Sequence, residues 1–562
     1  MHPTLRRLLP ALLLFPLTAQ GTIVTTTTDE DNGTLGGGSG ISLREAVKYS
    51  SAGTTITFTP ALSGQTIRLT LGELLIPQSL TIDGSSLPVR ITLSGDKSGN
   101  GKTSDDTTVF RVGPGTIVLD SLIISGGHNA QGGGIISDID TTNLIVKKCH
   151  FVGNSARVVG GAIFFSTSTG AGIPILTLTD STFTGNSATN EGGAIYAIYP
   201  VQIQTSTFTG NTARDGGAIY LARGNLQLNC STVAGNSATR NGGGICSRGN
   251  FIILENSTVS RNSALLNGGG IYAENGFINL ENSTVAINTA TSRGGGIFVF
   301  NTMTAQNCTI AANTAGISGG GAEGSVNLRA TIVSGNTAPS SPDVQLRDVN
   351  TQGNLITPIL SLAPLGNYGG PTQTMPPLTG SPAVDPSFAQ FYSVPDQRGF
   401  PRNFPPDIGA VEYQGFWSDD ASIIYDVMPL IWKLDADSDG LPYAIERLHG
   451  TNPFVPDTSS TSTLSAPVLN SEGKPVLTFI ASRNTAVPDT HTFWYLMRSP
   501  DLTPGSWREI YRFAPYGGGY SKPGVSFILT PVDGKTERVT VTDGNPLPSG
   551  GFYRFEAKLG PP

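Results

Sequence analysis

Apolar and polar positions alternate over short stretches of this chain, and the stretches recur. Leu176/Leu178, Val201/Ile203, Leu226/Leu228, Ile252/Leu254, Ile278/Leu280 and Val326/Leu328 each stand two apart, with Gly and Asn clusters between them. Period two with β-branched neighbours predicts strands, and the clusters predict turns. The alternation belongs to a unit rewritten eight times between Leu144 and Asn336. Each copy closes on an asparagine: Asn154, Asn186, Asn211, Asn236, Asn262, Asn288, Asn313 and Asn336, spaced by 32, 25, 25, 26, 26, 25 and 23 residues. A fixed period of this size marks a stacked array, and about 25 residues is too few for a propeller blade of about 40–50. It suits one coil of a parallel β-helix, each coil resting on the last at roughly 4.8 Å.

Aligning the copies by column sharpens the expectation. Phe151, Phe183, Phe208, Val233, Val259, Val285, Ile310 and Val333 form a predicted core ladder. Three residues on, the asparagines form an internal ladder at a turn, where Asn tolerates left-handed backbone and its amide reaches the next coil. Glycine pairs after them supply turns with positive φ. Phe164, Tyr196, Tyr220, Cys246, Tyr272 and Phe298 share a further column. It reads as ordinary solenoid stacking, with an outward sugar-stacking stripe as the alternative. From 54 to 127 strands continue without the tidy repeat, giving roughly three extra rungs, as terminal repeats are atypical.

These repeats carry a resemblance. Phe183-Thr184-Gly185-Asn186 with Gly192-Gly193-Ala194-Ile195, and Phe208-Thr209-Gly210-Asn211 with Gly216-Gly217-Ala218-Ile219, resemble the paired motifs of chlamydial polymorphic outer-membrane proteins. The resemblance covers about 200 residues of this chain. It implies a right-handed β-helix passenger, exported and often adhesive. No closing set of alternating barrel strands is read at the C-terminal end.

Composition is compatible with that reading. The 562 residues include 71 Gly and 38 Pro, with 13% charged residues and net charge −7, so nothing electrostatic favours nucleic acid or an anionic bilayer. Residues 1–21 look like a secretory signal: Arg6 and Arg7, a short apolar core, then Ala19-Gln20-Gly21. No later stretch reads as a transmembrane segment. Ser42 and Glu45 stand in capping-box spacing and predict a short helix, read as covering the first coil. Ser42-Leu43-Arg44-Glu45-Ala46 resembles the CSLREA domain of secreted bacterial β-helix proteins, with Ile41 in place of its cysteine. Cys149 and Cys308 share a serine column six coils apart and cannot pair. Cys230 and Cys246 are close enough for a disulfide, which is not the favoured reading. Asn256-Ser257-Thr258 and Asn282-Ser283-Thr284 are formal glycosylation sequons better explained as ladder residues.

Beyond Pro339 the pattern changes. Gly366-Asn367-Tyr368-Gly369-Gly370-Pro371, Gly380-Ser381-Pro382-Ala383-Val384-Asp385, Asp396-Gln397-Arg398-Gly399 and Asp407-Ile408-Gly409-Ala410 are loop-rich and resemble a choice-of-anchor Q domain, read as a C-terminal cap. Arg398 and Arg402 are expected to pair with Asp385, Asp396 or Asp407. Next, Asp435-Ala436-Asp437-Ser438-Asp439-Gly440-Leu441, closing on Glu446, fits a calcium loop. Asp435, Asp437 and Asp439 supply carboxylate oxygens, Leu441 its carbonyl, and Glu446 a bidentate carboxylate to Ca²⁺. With Leu448 to Pro453 it resembles a thrombospondin type 3 repeat. Strands read at Val476–Phe479, Phe493–Leu496, Val539–Thr542 and Phe552–Phe555 predict a β-sandwich-like module.

The expected organisation is therefore a mainly β chain. It has a signal (1–21), an N-terminal cap (22–53), a parallel β-helix (54–340), a C-terminal cap (341–415), a calcium segment (416–456), a linker (457–465) and a sandwich-like module (466–562). The expected role is a secreted or cell-surface adhesive or recognition protein whose partner is an extracellular glycan or protein surface, without an organic cofactor. A β-helix polysaccharide lyase or glycoside hydrolase is the alternative. For it, Asp138, Asp140, Lys147 and Lys148 are the candidate residues, since the four remaining histidines, His128, His150, His449 and His491, lack a hydrolase context.

Overall fold

A computed structural model describes residues 21–101, 105–138, 142–166, 173–346, 353–358, 361–378, 380–384, 386, 395–402 and 405–413, and the backbone of strands between 468 and 559. The chain divides into two compact units. One is Met1–Ser361 with Asp385–Gln397 and Asn403–Val411; the other is Leu362–Val384, Arg398–Arg402 and Glu412–Pro562.

The first unit is a parallel β-solenoid of about 11 turns, as the eight copies and three irregular rungs predict. Its coils contribute to three parallel sheets of 21, 12 and 8 strands. One coil shows the plan. Ile195–Ala197 and Val201–Gln204 lie in the largest sheet, Thr207–Thr209 in the twelve-stranded sheet, and Thr212–Ala213 in the eight-stranded sheet. Each residue pairs with its equivalent one coil on: Ile195 with Ile219, Val201 with Leu226, Phe208 with Val233. The alternation read from the sequence therefore points every second residue of a strand, such as both Leu176 and Leu178, into a single continuous core.

The predicted core ladder is fully buried, and Phe151, Phe183 and Phe208 stack face to face at 4.6 Å. The asparagine ladder is present as well. The Asn236 backbone N–H and Nδ2 donate to Oδ1 of Asn262 at 2.9 and 3.0 Å, and Nδ2 also donates to the Phe208 carbonyl at 3.0 Å. The same pattern runs from Asn154 to Asn336, where Asp343 Oδ1 accepts the last Nδ2 donor at 3.0 Å. One detail of the expectation is corrected. The ladder asparagines are not the left-handed residues; the residue just before each one is, such as Gly185 (φ 63°), Gly210 (φ 63°) and Ile287 (φ 61°). The amide must point inward to reach both neighbouring coils, so the corner bends one residue earlier.

Two other corners are also left-handed. One column runs through Asp180, Thr205, Cys230, Asn256, Asn282 and Asn307, so the two sequons sit at bends. Asn282 is buried and donates to the Pro395 carbonyl at 3.0 Å. The other is the first glycine of each pair, for example Gly216 (φ 64°). The second glycine is required for a different reason: a Cβ on Gly217 would lie 2.1 Å from the carbonyl oxygen of Gly243 in the next coil.

The predicted helix is Leu43–Tyr49, and both halves of its capping box form. Leu43, Ala46 and Val47 join the solenoid core. Glu45, fully buried, accepts from the backbone of Ser42 and Asn32. Residues 395–397 and 405–411 lie along the flank of the last coils. Gln397 Oε1 accepts from Thr284 Oγ1 at 2.6 Å, its Nε2 donates to Thr258 Oγ1 at 3.0 Å, and Ala410 N donates to Thr309 Oγ1 at 3.1 Å. This strap leaves Thr258, Thr284 and Thr309 almost fully buried although they face outward; Thr182 and Thr207, in earlier coils, are only half-buried. That part of the expected cap is a flank cover, because the threonine column offers hydroxyls where the strap has amides.

In the second unit, Leu362 bridges Pro377 and Gly366 bridges Thr374 in an antiparallel pairing. Arg402 pairs with Glu412 at 3.6 Å with both side chains buried, and Arg398 donates to the Glu412 carbonyl at 2.6 Å. These arginines serve the loop's own packing. The strands expected toward the C-terminus are found in two four-stranded antiparallel sheets, built around Pro475–Ser482 and Thr492–Ser499.

Candidate binding surface

The outward column expected to be aromatic lies in the largest sheet. Register extends it to Arg111, Ile136, Phe164, Tyr196, Tyr220, Cys246, Tyr272, Phe298 and Glu323. Rings in adjacent coils stack at 5.5 Å, as between Tyr196 and Tyr220. Outward does not mean open here. Tyr220, Cys246 and Tyr272 are 3%, 2% and 7% exposed. The glycine corner brings the residue five positions earlier against the column: Ser318 Oγ donates to Glu323 Oε2 at 2.6 Å, and Val159 packs in one cluster with Phe164. Burial pushes the Tyr272 hydroxyl up to about 12 and raises the Cys246 thiol well above its ordinary value. The column is therefore a packed stack, not a sugar platform, and Cys246 is not an activated nucleophile.

Ion pairs edge this stack. Fully buried Asp215 accepts from Arg240 at 2.8 Å and Arg214 at 3.3 Å, and Arg248 meets Glu274 at 2.6 Å. All four cysteines are free, so Cys230 and Cys246 do not pair, and burial raises Cys149 to about 12.

Asp138 is bonded to Arg111, which also holds Glu73 at 2.8 Å. Lys147 faces Asp120 at 3.7 Å, Lys148 occupies a left-handed corner, and Asp140 lies outside the described residues. Asp435, Asp437, Asp439, Leu441 and Glu446 also lie outside them. Among the described residues, no three His, Cys, Asp or Glu side chains come together as a metal site.

A different set of rings is exposed. Phe251, Phe277 and Phe300 are 44%, 45% and 54% accessible. Phe251 and Phe277 open the strands Phe251–Glu255 and Phe277–Glu281, and Phe300 lies inside the longer strand Ile297–Gln306. Phe251 and Phe277 are in register and stack at 5.5 Å, and Phe300 stands edge-on to Phe298 at 5.1 Å. Each has an exposed asparagine beside or near it in sequence: Asn250, Asn275 and Asn301. The ring pattern was visible in the sequence as Asn250-Phe251 and Asn275-Gly276-Phe277. It was hidden by the alternation, since these phenylalanines precede the inward Ile252 and Ile278 and read as part of the strand.

No helix among the described residues is long and apolar enough to cross a membrane. No curated protein and no solved structure matches the chain. Residues 180–198 and 205–222 match the repeat of the Chlamydia polymorphic membrane proteins, which is the family likeness that this solenoid carries.

Proposed function

We propose that this chain is an exported cell-surface protein whose solenoid presents a recognition or adhesive surface without catalysing a reaction. The observation that carries this reading is the match of two coils to a membrane-protein surface repeat within a continuous solenoid. The signal-like 1–21 and the CSLREA-like and choice-of-anchor Q-like segments support export and retention outside the cell. The engagement of Asp138 by Arg111 weighs against the polysaccharide-cleaving alternative. Fractionation of cells, with an antibody to the C-terminal module and protease shaving of intact cells, tests it. Surface or culture-medium protein is expected; protein confined to the cytosol overturns the reading.

We also propose that the thrombospondin type 3-like loop binds calcium through Asp435, Asp437, Asp439, the Leu441 carbonyl and Glu446. Five oxygen-bearing positions in this order suit a hard cation of six to eight ligands. Calorimetry with CaCl₂ on the full chain should give a binding heat that Asp437→Asn with Glu446→Gln abolishes. An unchanged heat in that double variant removes the claim.

A further inference from the structure

We propose that the corner bearing Phe251, Phe277 and Phe300 is a binding site for an uncharged, extended polysaccharide lying along the solenoid axis. The inference rests on the surface-recognition reading above and names its ligand class. Four observations carry it.

The rings are not needed by the fold. Asn225 holds the equivalent place one coil before Phe251, in register with it and also exposed. Half-exposed phenylalanines there lose hydrophobic stabilisation without filling the core, which already has Ile252 and Ile278. An apolar residue kept in water on successive coils calls for a partner.

The patch is the size of a short glycan. Three rings of roughly 200 Å² each, about half exposed, offer about 300 Å² of apolar surface. A stable protein partner covers roughly 800 Å² on each side. The smaller area fits a few sugar rings.

The ring stacking and polarity also fit. The Phe251 and Phe277 rings stack on each other at 5.5 Å, so together they present their edges and outer faces as one apolar ridge to the ligand. The exposed amides of Asn250, Asn275 and Asn301 stand one or two residues from the rings in sequence and offer both donors and acceptors to hydroxyls. Asn301 Nδ2 is anchored to the Asn275 carbonyl at 2.6 Å, so its position is fixed.

Charge selects the class. Arg248 and Glu274, at the same corner, neutralise each other at 2.6 Å. The chain as a whole is acidic, with net charge −7, which opposes anionic glycans.

The test is affinity electrophoresis of the full chain through gels containing soluble β-1,3-glucan, β-1,4-mannan or β-1,4-xylan, with polygalacturonate as the acidic arm. Retardation by at least one neutral polymer and none by polygalacturonate is expected. Phe251→Asn with Phe277→Asn and Phe300→Asn, which copies Asn225, should weaken retention at least tenfold while the melting temperature holds. Leu265→Asn with Leu266→Asn, exposed leucines elsewhere on the coil, should leave it unchanged. No retardation by any of the three neutral polymers, equal retention of the triple variant, or preference for polygalacturonate overturns the proposal. Surface location of a protein that fails these gels sinks the ligand class alone; cytosolic location sinks the recognition reading instead.

Discussion

At the residue scale, one amide does most to fix each coil. Asn262 gives and takes hydrogen bonds with Asn236, Asn288 and the Val233 carbonyl, at 2.9 to 3.0 Å, while 1% exposed. Asn262→Ala leaves buried donors of Asn236 and the Val233 carbonyl unpaired. A loss of about 3 kcal/mol is expected in chemical denaturation. The ladder ends differently, on a carboxylate. Burial raises the Asp343 carboxyl above its ordinary 3.8, partly offset by the donors of Asn336. A raised folded value means the group's favourable contribution is full below 3.8 and is lost as pH rises through the folded value. Asp343→Asn keeps the acceptor and removes the buried charge. It should raise the melting temperature at pH 7 and make no difference at pH 3; the opposite order would refute this account. A third residue stores strain. Ile287 is left-handed where Gly185, Gly210 and Gly235 stand in other coils. Ile287→Gly removes a side-chain clash worth about 1–2 kcal/mol and adds unfolded-state entropy worth about 0.5–1, so a net gain of up to about 1.5 kcal/mol is expected on thermal unfolding.

At the element scale, the helix and the strap show two ways of finishing a solenoid. The helix is locally encoded: Ser42 and Glu45 satisfy each other's backbone donors whatever lies beyond. The strap is not. Its hold depends on Gln397 meeting Thr258 and Thr284, over 100 residues earlier in the chain. Gln397→Ala should cost about 1–2 kcal/mol of local stability, and hydrogen exchange should rise in residues 395–397 and 405–411 and the Thr258 and Thr284 strands before it rises elsewhere. Uniform exchange across the solenoid would show that the strap is not a separate element.

At the scale of the whole molecule, the first unit behaves as a one-dimensional array. Each coil contacts its neighbours through the same registers, so stability adds coil by coil. Removing residues 212–236 joins Asn211 to Ser237, which already occupies the position equivalent to Thr212. The shortened protein should keep its β-sheet circular dichroism per residue and unfold cooperatively with a modestly lower midpoint. Aggregation or loss of sheet signal would mean that the coils are not interchangeable. The exposed pair Phe251 and Phe277 follows from the same geometry, because in-register corners bring two separate residues into one stack.

The chain's periodicity alone determined the solenoid, its core ladder and its asparagine ladder, because identical neighbours at fixed spacing leave one way to bury alternate residues and satisfy each amide. The capping box was equally legible, being local. Burial on the outer face was decided only by the tertiary structure. The aromatic column at Tyr220 and Tyr272 looks outward by alternation, yet both rings are buried in one cluster with Cys246 and Phe298. Phe251 and Phe277 look like ordinary strand residues, yet they sit at an uncovered bend. The threonines under Gln397 are hidden by a segment far along the chain. Period tells which way a side chain points; only the meeting of distant segments tells whether anything lies over it.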